Sequence, residues 1–229
     1  MGLDYTDIMR HKTDYLTPQE IETMLDFCVK NKRVRDYLLI LTLQRTGRRV
    51  TEIVGQRPFT NKVGLRPCDI HPDGLIEFDI LKKNPIQTKN KKGKLRQAAQ
   101  LIKERLLKKP KRKLFPVDDQ YLKLLQVYIK HHHIPTMARI FPISRQRVDM
   151  IIKDIAKQCK IERPKKKIHA HNFRHSFAVN LLKDNPNDGS ILIHLQELLD
   201  HSNLSVTKTY AQFTPEDKRE KLNKLFNKK

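Results

Sequence analysis

The chain has 229 residues, with 47 Lys or Arg against 25 Asp or Glu, a net charge of +22 at neutral pH. Its length allows about one or two domains, and a hydrophobic share of 38% excludes a wholly disordered protein. Like charge at this density repels itself, so the composition points to a polyanionic partner, nucleic acid first and an anionic membrane second.

The membrane alternative finds little support along the chain. The longest apolar run, Tyr37–Leu43, is far shorter than the ~18 residues that span a bilayer. Asp4, Asp7 and Asp14 stand where a signal peptide carries its apolar stretch. Met1–Thr6 fits the loose myristoylation pattern, but nothing else points to an anchor. Cys28, Cys68 and Cys159 are far apart and form no Cys-x-x-Cys pair, which suits a reducing cytoplasm and argues against a zinc ribbon.

Thr17-Pro18-Gln19-Glu20 predicts a helix start: a Thr cap, Pro at the first helical position, and Glu three residues after the cap. Leu16 and Ile21 fit a hydrophobic staple, with Ile21, Leu25, Cys28 and Val29 on the inward face. A second helix is expected over Arg33–Leu43, with Val34, Tyr37, Leu38 and Leu41 inward, broken at Thr46-Gly47. A short third helix follows over Arg48–Val54. The turn His71-Pro72-Asp73-Gly74 leads into a strand, Leu75–Leu81, whose partner is expected at Lys113–Val117. Between the strands, residues 84–113 hold twelve Lys or Arg and one acid, Glu104. Leu95, Ala98, Ala99, Ile102 and Leu106 have helical spacing there, so this insert reads as a basic hairpin with a helix at its tip or as a disordered basic loop.

The second half reads as helical. Helices are expected over Asp119–Lys130, after a Ser144 cap with Val148, Ile151, Ile152, Ile155 and Cys159 inward, over Asn172–Leu182, over Ile191–Leu199, and over residues 215–226. Arg145 and Arg147 in the first turn after Ser144 are placed for phosphates. His131-His132-His133 tempts a metal reading, but consecutive histidines point to different helix faces, and a solvated or DNA-facing helix end fits better. The fold class is mainly α with a small antiparallel β-hairpin.

Several segments carry chemistry-bearing side chains. His171 and Arg174 are three apart at a helix start, where free N–H groups favour an anion. A chain rich in both residue types yields His-x-x-Arg by chance, and the pair also reads as surface polar residues. Arg49 follows a Gly turn, with Glu52 three residues on to hold its guanidinium. Leu199-Asp200-His201-Ser202 closes a helix, and Tyr210 lies nine residues past His201.

Taken in order, Thr-Gly-x-Arg-x-x-Glu, His-x-x-Arg, Leu-x-His-Ser and the tyrosine resemble the tyrosine recombinases, the integrase family of phage and archaeal elements. The family's usual Leu-Arg-His-Thr-Phe-Ala stands here as Phe173-Arg174-His175-Ser176-Phe177-Ala178, and the resemblance runs from about Leu16 to Phe226. It implies the DNA breaking-rejoining fold, with residues 1–229 as a single catalytic domain, a basic insert at 84–113 and a C-terminal helix at 215–226. The separate N-terminal DNA-binding domain that most relatives carry is expected to be absent, a departure from the family, since the chain begins almost at the catalytic domain. Arg49 and Arg174 would clamp the non-bridging oxygens of the scissile phosphate. His171 and His201 would complete that site by hydrogen bonding or proton transfer. Tyr210 would be the nucleophile, giving a 3′-phosphotyrosyl bond, and a hairpin lysine, Lys82 with Lys83 as runner-up, would protonate the leaving 5′ oxygen.

The chemistry agrees with these roles. Phosphoryl transfer depends on positioning and charge stabilisation, which two planar guanidiniums supply. The resemblance implies no metal and no cofactor, and no Asp/Glu cluster has metal-ligand spacing. The expected partners are double-stranded DNA and further copies of the chain, dimer to tetramer, with a cytoplasmic location. Two further departures stand out: Asp200 replaces the family's usual Gly, and the 84–113 insert exceeds an ordinary hairpin turn. A type IB topoisomerase-like nicking-closing enzyme and an inactive DNA-binding module are the alternatives.

Overall fold

Thr17 and Glu20 start the first helix reciprocally. The Thr17 hydroxyl accepts from the Glu20 N–H at 3.2 Å, and the Thr17 N–H donates to Glu20 Oε2 at 2.8 Å. The computed structural model describes residues 15–56, 63–80, 111–163, 168–185, 188 and 190–200. The described helices are α1 (Pro18–Lys30), α2 (Val34–Thr46), α3 (Val50–Val54), α4 (Asp119–His131), α5 (Arg145–Gln158), α6 (Ala170–Asp184) and α7 (Ile191–Leu199). The described strands are β1 (Leu75–Ile80) and β2 (Lys111–Pro116). The expectation of a mainly α protein with a small antiparallel sheet is met. The expected helix in the insert and the one at 215–226 lie outside the described residues.

The chain divides into two compact units, residues 1–48 with 149–229, and residues 49–148. In the first, α2 packs against both α1 and α6, and α6 against α7. Contact on two sides explains why Leu38, Leu39, Ile40, Leu41 and Leu43 of α2 are all buried, where one inward face was expected. Thr42 and Thr46 are buried with them because each hydroxyl donates to the carbonyl four residues back, at 2.7 and 2.6 Å. On α1 the buried stripe is Ile21, Met24 and Cys28, while Val29 is 62% exposed. The expected stripe was rotated by about one residue, because Met24 and Leu25 satisfy the apolar pattern equally well. Val34, expected inward, is also exposed, since it opens α2 ahead of the packed turns.

Ion pairs and caps close the gaps between these helices. Arg33 donates to Asp36 at 2.9 Å and to Asp154 of α5 at 2.6 Å. Arg163 grips Glu20 with both arms of its fork, at 2.8 and 2.7 Å, and also donates to the Tyr15 carbonyl. Burial works to raise the Glu20 pKa, but the hydrogen bonds and charge from Arg163, with those from Thr17, outweigh it and hold the carboxyl below its ordinary value. The three cysteines are free, and burial pushes the Cys28 thiol up to about 11.

In the second unit, β1 and β2 pair antiparallel from Leu75↔Pro116 to Ile80↔Lys111. Ile76, Phe78 and Phe115 face the core, with Phe78 and Phe115 edge to face at 6.3 Å between centroids. A 3₁₀ turn, Pro67–Asp69, was not foreseen, although Arg66-Pro67-x-Asp69 has cap spacing, and Asp69 Oδ2 accepts from the Arg66 N–H at 2.9 Å. Ser144 caps α5 as expected, accepting from the Arg147 N–H at 3.1 Å.

One buried hydroxyl ties the start of the described chain to α6. Ser176 Oγ accepts from the Leu16 N–H at 2.7 Å and donates to the Asn172 carbonyl at 2.8 Å. Ser176→Ala leaves a buried N–H unsatisfied, so chemical denaturation should show a loss of about 1–3 kcal/mol. An unchanged midpoint would mean that water replaces the hydroxyl.

Candidate active site

The α6 helix opens at Ala170, two residues earlier than the expected Asn172, because His169 is its cap and Asn172 is the capping partner. The His169 N–H donates to Asn172 Oδ1 at 2.8 Å, and Asp149 Oδ1 accepts from the Ala170 N–H at 3.2 Å. The first turns therefore leave His171 exposed and turn Arg174 inward, only 2% exposed. The reading of the two as a pair on one surface face is corrected. Residues three apart differ by only about 60° around a helix, and the boundary between core and solvent falls between these two.

Arg174 lies where two helices end. Its Nη1 donates to the Gly47 carbonyl at 3.0 Å, and its Nη2 donates to the Leu199 carbonyl. Gly47 is the C-cap of α2, and Leu199 is the last residue of α7. Helix C-termini leave carbonyls without intrahelical donors and carry the negative end of the helix dipole. The guanidinium satisfies both ends at once, and they favour its charge. Those bonds fix its plane, so an anion gains from meeting a cation already desolvated and oriented.

Gly47 holds a left-handed conformation at φ +57°, and a Cβ there would stand 2.6 Å from Phe177 Cδ1. Position 200 is left-handed too, at φ 53°, and its N–H donates back to the Gln196 and Glu197 carbonyls. Aspartate tolerates that conformation better than most residues, so the departure from Gly keeps the turn. Asp200 Oδ2 is buried and meets no hydrogen-bond partner among the described residues.

The rings of His171 and His175 meet edge to face at 4.5 Å, with His169 at 6.3 Å from His171. In the second unit, Arg49 donates to Glu52 Oε1 at 2.9 Å, and its backbone N–H to Glu52 Oε2 at 3.0 Å. Glu52 is buried, so this pair is a fixed strut and not the exposed surface pair that spacing alone allows. Lys82, the runner-up Lys83, His201 and Tyr210 lie outside the described residues.

Sequence reasoning missed two further features. Arg48 is buried to 1% beside Gly47, and its motif marks it only as a variable position. Asp69 is buried to 2% under two arginines, and its only signal was the cap spacing from Arg66. Among the described residues, no group of three or more His, Cys, Asp or Glu is placed to hold a metal ion, and no helix is long and apolar enough to cross a membrane. The three consecutive histidines, 131–133, are exposed at the end of α4.

A mainly helical fold with a two-stranded sheet, and an arginine buried across two helix ends, can now be set beside known proteins. A model of the phage integrase family matches residues 77–217, more than half of the chain, so the chain belongs to the phage integrase family. It is 28% identical over 224 residues to a tyrosine recombinase of Pseudothermotoga lettingae, covering 98% of this chain and 65% of that one. It is 32% identical over 186 residues to the tyrosine recombinase XerD of Listeria monocytogenes, covering 79% of this chain and 51% of that one. The chain thus spans between half and two thirds of the length of these curated relatives. Both are bacterial, whereas the motifs alone had suggested phage and archaeal elements. Among solved structures, the XerA recombinase matches with a TM-score of 0.62 at 18% identity, over 94% of this chain and 66% of that one. The XerH recombinase bound to its difH substrate matches with a TM-score of 0.57 at 20% identity, over 90% of this chain and 52% of that one. These two likenesses establish the fold.

The clamp on Arg174 depends on Gly47. Gly47→Ala imposes a left-handed alanine and a clash with Phe177, together costing about 2–4 kcal/mol in a denaturant titration. A loss below about 1 kcal/mol would mean that Phe177 moves aside freely.

Proposed function

We propose that this chain carries the catalytic domain of a site-specific recombinase that cuts and rejoins double-stranded DNA through a covalent tyrosine link. The observation that carries the reading is Arg174, buried and aimed by two helix ends, inside the motif order of the family. Each role follows from the chemistry of the side chain. The Tyr210 hydroxyl oxygen attacks the scissile phosphorus, and its proton passes to a histidine, His171 or His201. The bond from phosphorus to the 5′ oxygen breaks as the 3′-phosphotyrosyl bond forms, and Lys82 gives the leaving oxygen its proton. Arg174 and Arg49 donate to the non-bridging oxygens, where negative charge accumulates. Glu52 supports this role for Arg49 by fixing its guanidinium. One phosphodiester replaces another, so the step needs no ATP, and attack by a 5′ hydroxyl from a second duplex reverses it with exchanged partners.

Exchange between two duplexes needs several protomers, so the working assembly is a dimer to tetramer on DNA. A DNA substrate supports the cytoplasmic location expected from the sequence. The +22 charge supports the partner, and the twelve basic residues of 84–113 mark that segment as a main contributor to DNA grip.

The test is covalent capture from a pool of nicked duplexes with a randomised core, in which a released short strand prevents rejoining. Wild-type protein should yield a denaturation-resistant adduct mapping to Tyr210, and Tyr210→Phe should yield none. Arg174→Lys, unable to span both carbonyls, should slow capture by about 10²–10³-fold. A normal adduct from Tyr210→Phe would overturn the assignment. Strands joined between two captured duplexes separate a recombinase from a nicking-closing enzyme. Deleting residues 86–109 should weaken DNA binding and flatten its dependence on salt, and an unchanged salt slope would remove the insert from the grip.

A further inference from the structure

Five charged side chains gather on one face of the β1–β2 pair. Arg112 Nη1 meets Glu77 Oε2 at 2.6 Å, its Nε meets Asp79 Oδ1 at 3.4 Å, and its Nη2 pairs with Asp69. Asp69 is also held from the other side by Arg66, with Nη2 to Oδ1 at 2.9 Å and Nε to Oδ2 at 3.2 Å. Three carboxylates and two guanidiniums thus form one connected set, with Asp69 at its buried centre. Burial works to raise the Asp69 pKa, but hydrogen bonds and charge from Arg66 and Arg112 hold it below its ordinary value. Burial dominates at Asp79 and raises its carboxyl, against the pull of Arg112.

The place of this set matters more than its strength. Asp79↔Arg112 and Ile80↔Lys111 are the two described rungs of the sheet nearest the 84–113 insert. On the opposite face, Phe78 and Phe115 already decide which side is buried. What the ionic set adds is position along the strand. Buried ion pairs contribute little net stability compared with apolar packing, and fixing register is the use best attested for them. A two-stranded hairpin is marginal alone; a slip of one residue reverses every side chain and is already opposed by the phenylalanines, so the slip left to the ionic set is of two residues, about 6.6 Å.

Two residues beyond Ile80 in sequence stands Lys82, the acid of the proposed reaction. An acid works only within about 2.6–3.2 Å of its target, a tolerance far smaller than one slip. We infer that Arg112, anchored on Asp69, is a positioning residue for protonation of the leaving 5′ oxygen. It holds the hairpin in the one register that delivers the acid, and it does not itself touch DNA. This rests on the proposed recombinase reaction.

The discriminating probe is the leaving group. In a nicked duplex recovered by the covalent capture above, the bridging 5′ oxygen of the scissile phosphate is replaced by sulfur. A thiolate leaves without a proton, so loss of acid positioning harms the oxygen duplex and spares the sulfur one. Arg112→Met should lower the rate of adduct formation on the oxygen duplex by about 10²-fold and stay within about threefold of wild type on the sulfur duplex. Arg112→Lys keeps one charge but cannot span three carboxylates, and it should show the same selective loss at smaller size. It also keeps the test open if the Met variant folds poorly. Equal losses on both duplexes, or no loss on either, overturn the inference. An adduct from wild-type protein on both duplexes keeps this outcome separate from the recombinase reading. Absence of that adduct overturns the recombinase reading, and this inference with it.

Discussion

A cation cannot be buried cheaply, and the fold around Arg174 is organised by that constraint. Moving a guanidinium out of water costs several kcal/mol unless polar groups replace its hydration. The replacement here comes from the carbonyls at the ends of α2 and α7, where the helix dipoles are negative and the oxygens have no intrahelical donor. The same contacts require α2 to stop at Gly47 and α7 to stop at Leu199, with α6 running between them. Packing of α6 against both helices is therefore a condition of the site as well as of the core. Other interactions in this unit serve that arrangement. Ser176 ties α6 to Leu16, Asp149 holds its N-terminus, and Phe177 fills the space a side chain at position 47 would need.

The second unit solves a different problem with the same chemistry. Arg49 is held by a buried carboxylate, as is Arg112. In both cases an acid spends its charge on orienting a guanidinium, in a protein whose net charge is strongly positive. This explains why the few acids matter more than their number suggests. Glu52, Asp69 and Asp36 are all buried and all paired with arginine, and none is free to repel a polyanion. The buried pairs supply geometry, and an arginine fork keeps its direction better than a lysine.

Legibility in the sequence followed the range of the interaction. Local signals read correctly: the Thr17–Glu20 capping box, the Ser144 cap, the Arg49–Glu52 pair and the α7 boundaries each depend on residues within four positions. The inward face of α1 came out rotated, because Met24, Leu25 and Val29 are all apolar and only the position of α2 decides among them. Arg174 looked like a surface residue because its partners are backbone carbonyls 127 and 25 positions away, and backbone oxygens leave no trace in a residue pattern. Arg112 was hidden by distance alone, since its partner is the side chain of Asp69, 43 positions away. The motif order carried the family because it records long-range geometry that no single spacing encodes.

The two left-handed residues beside Arg174 show how far sequence can vary while the geometry stays fixed. Both carbonyls it grips belong to helix ends that turn through a positive φ, at Gly47 and at Asp200. At position 47 the requirement is double, since the backbone is left-handed and Phe177 occupies the Cβ site, so only glycine meets both conditions. At position 200 the backbone condition alone operates, and a short polar side chain carries a penalty of about 1 kcal/mol or less there. The turn survives because the Asp200 N–H still closes onto Gln196 and Glu197, which keeps the Leu199 carbonyl pointed at Arg174. Glycine at the second position is thus a family habit that backbone hydrogen bonding makes dispensable, whereas glycine at the first is required by packing.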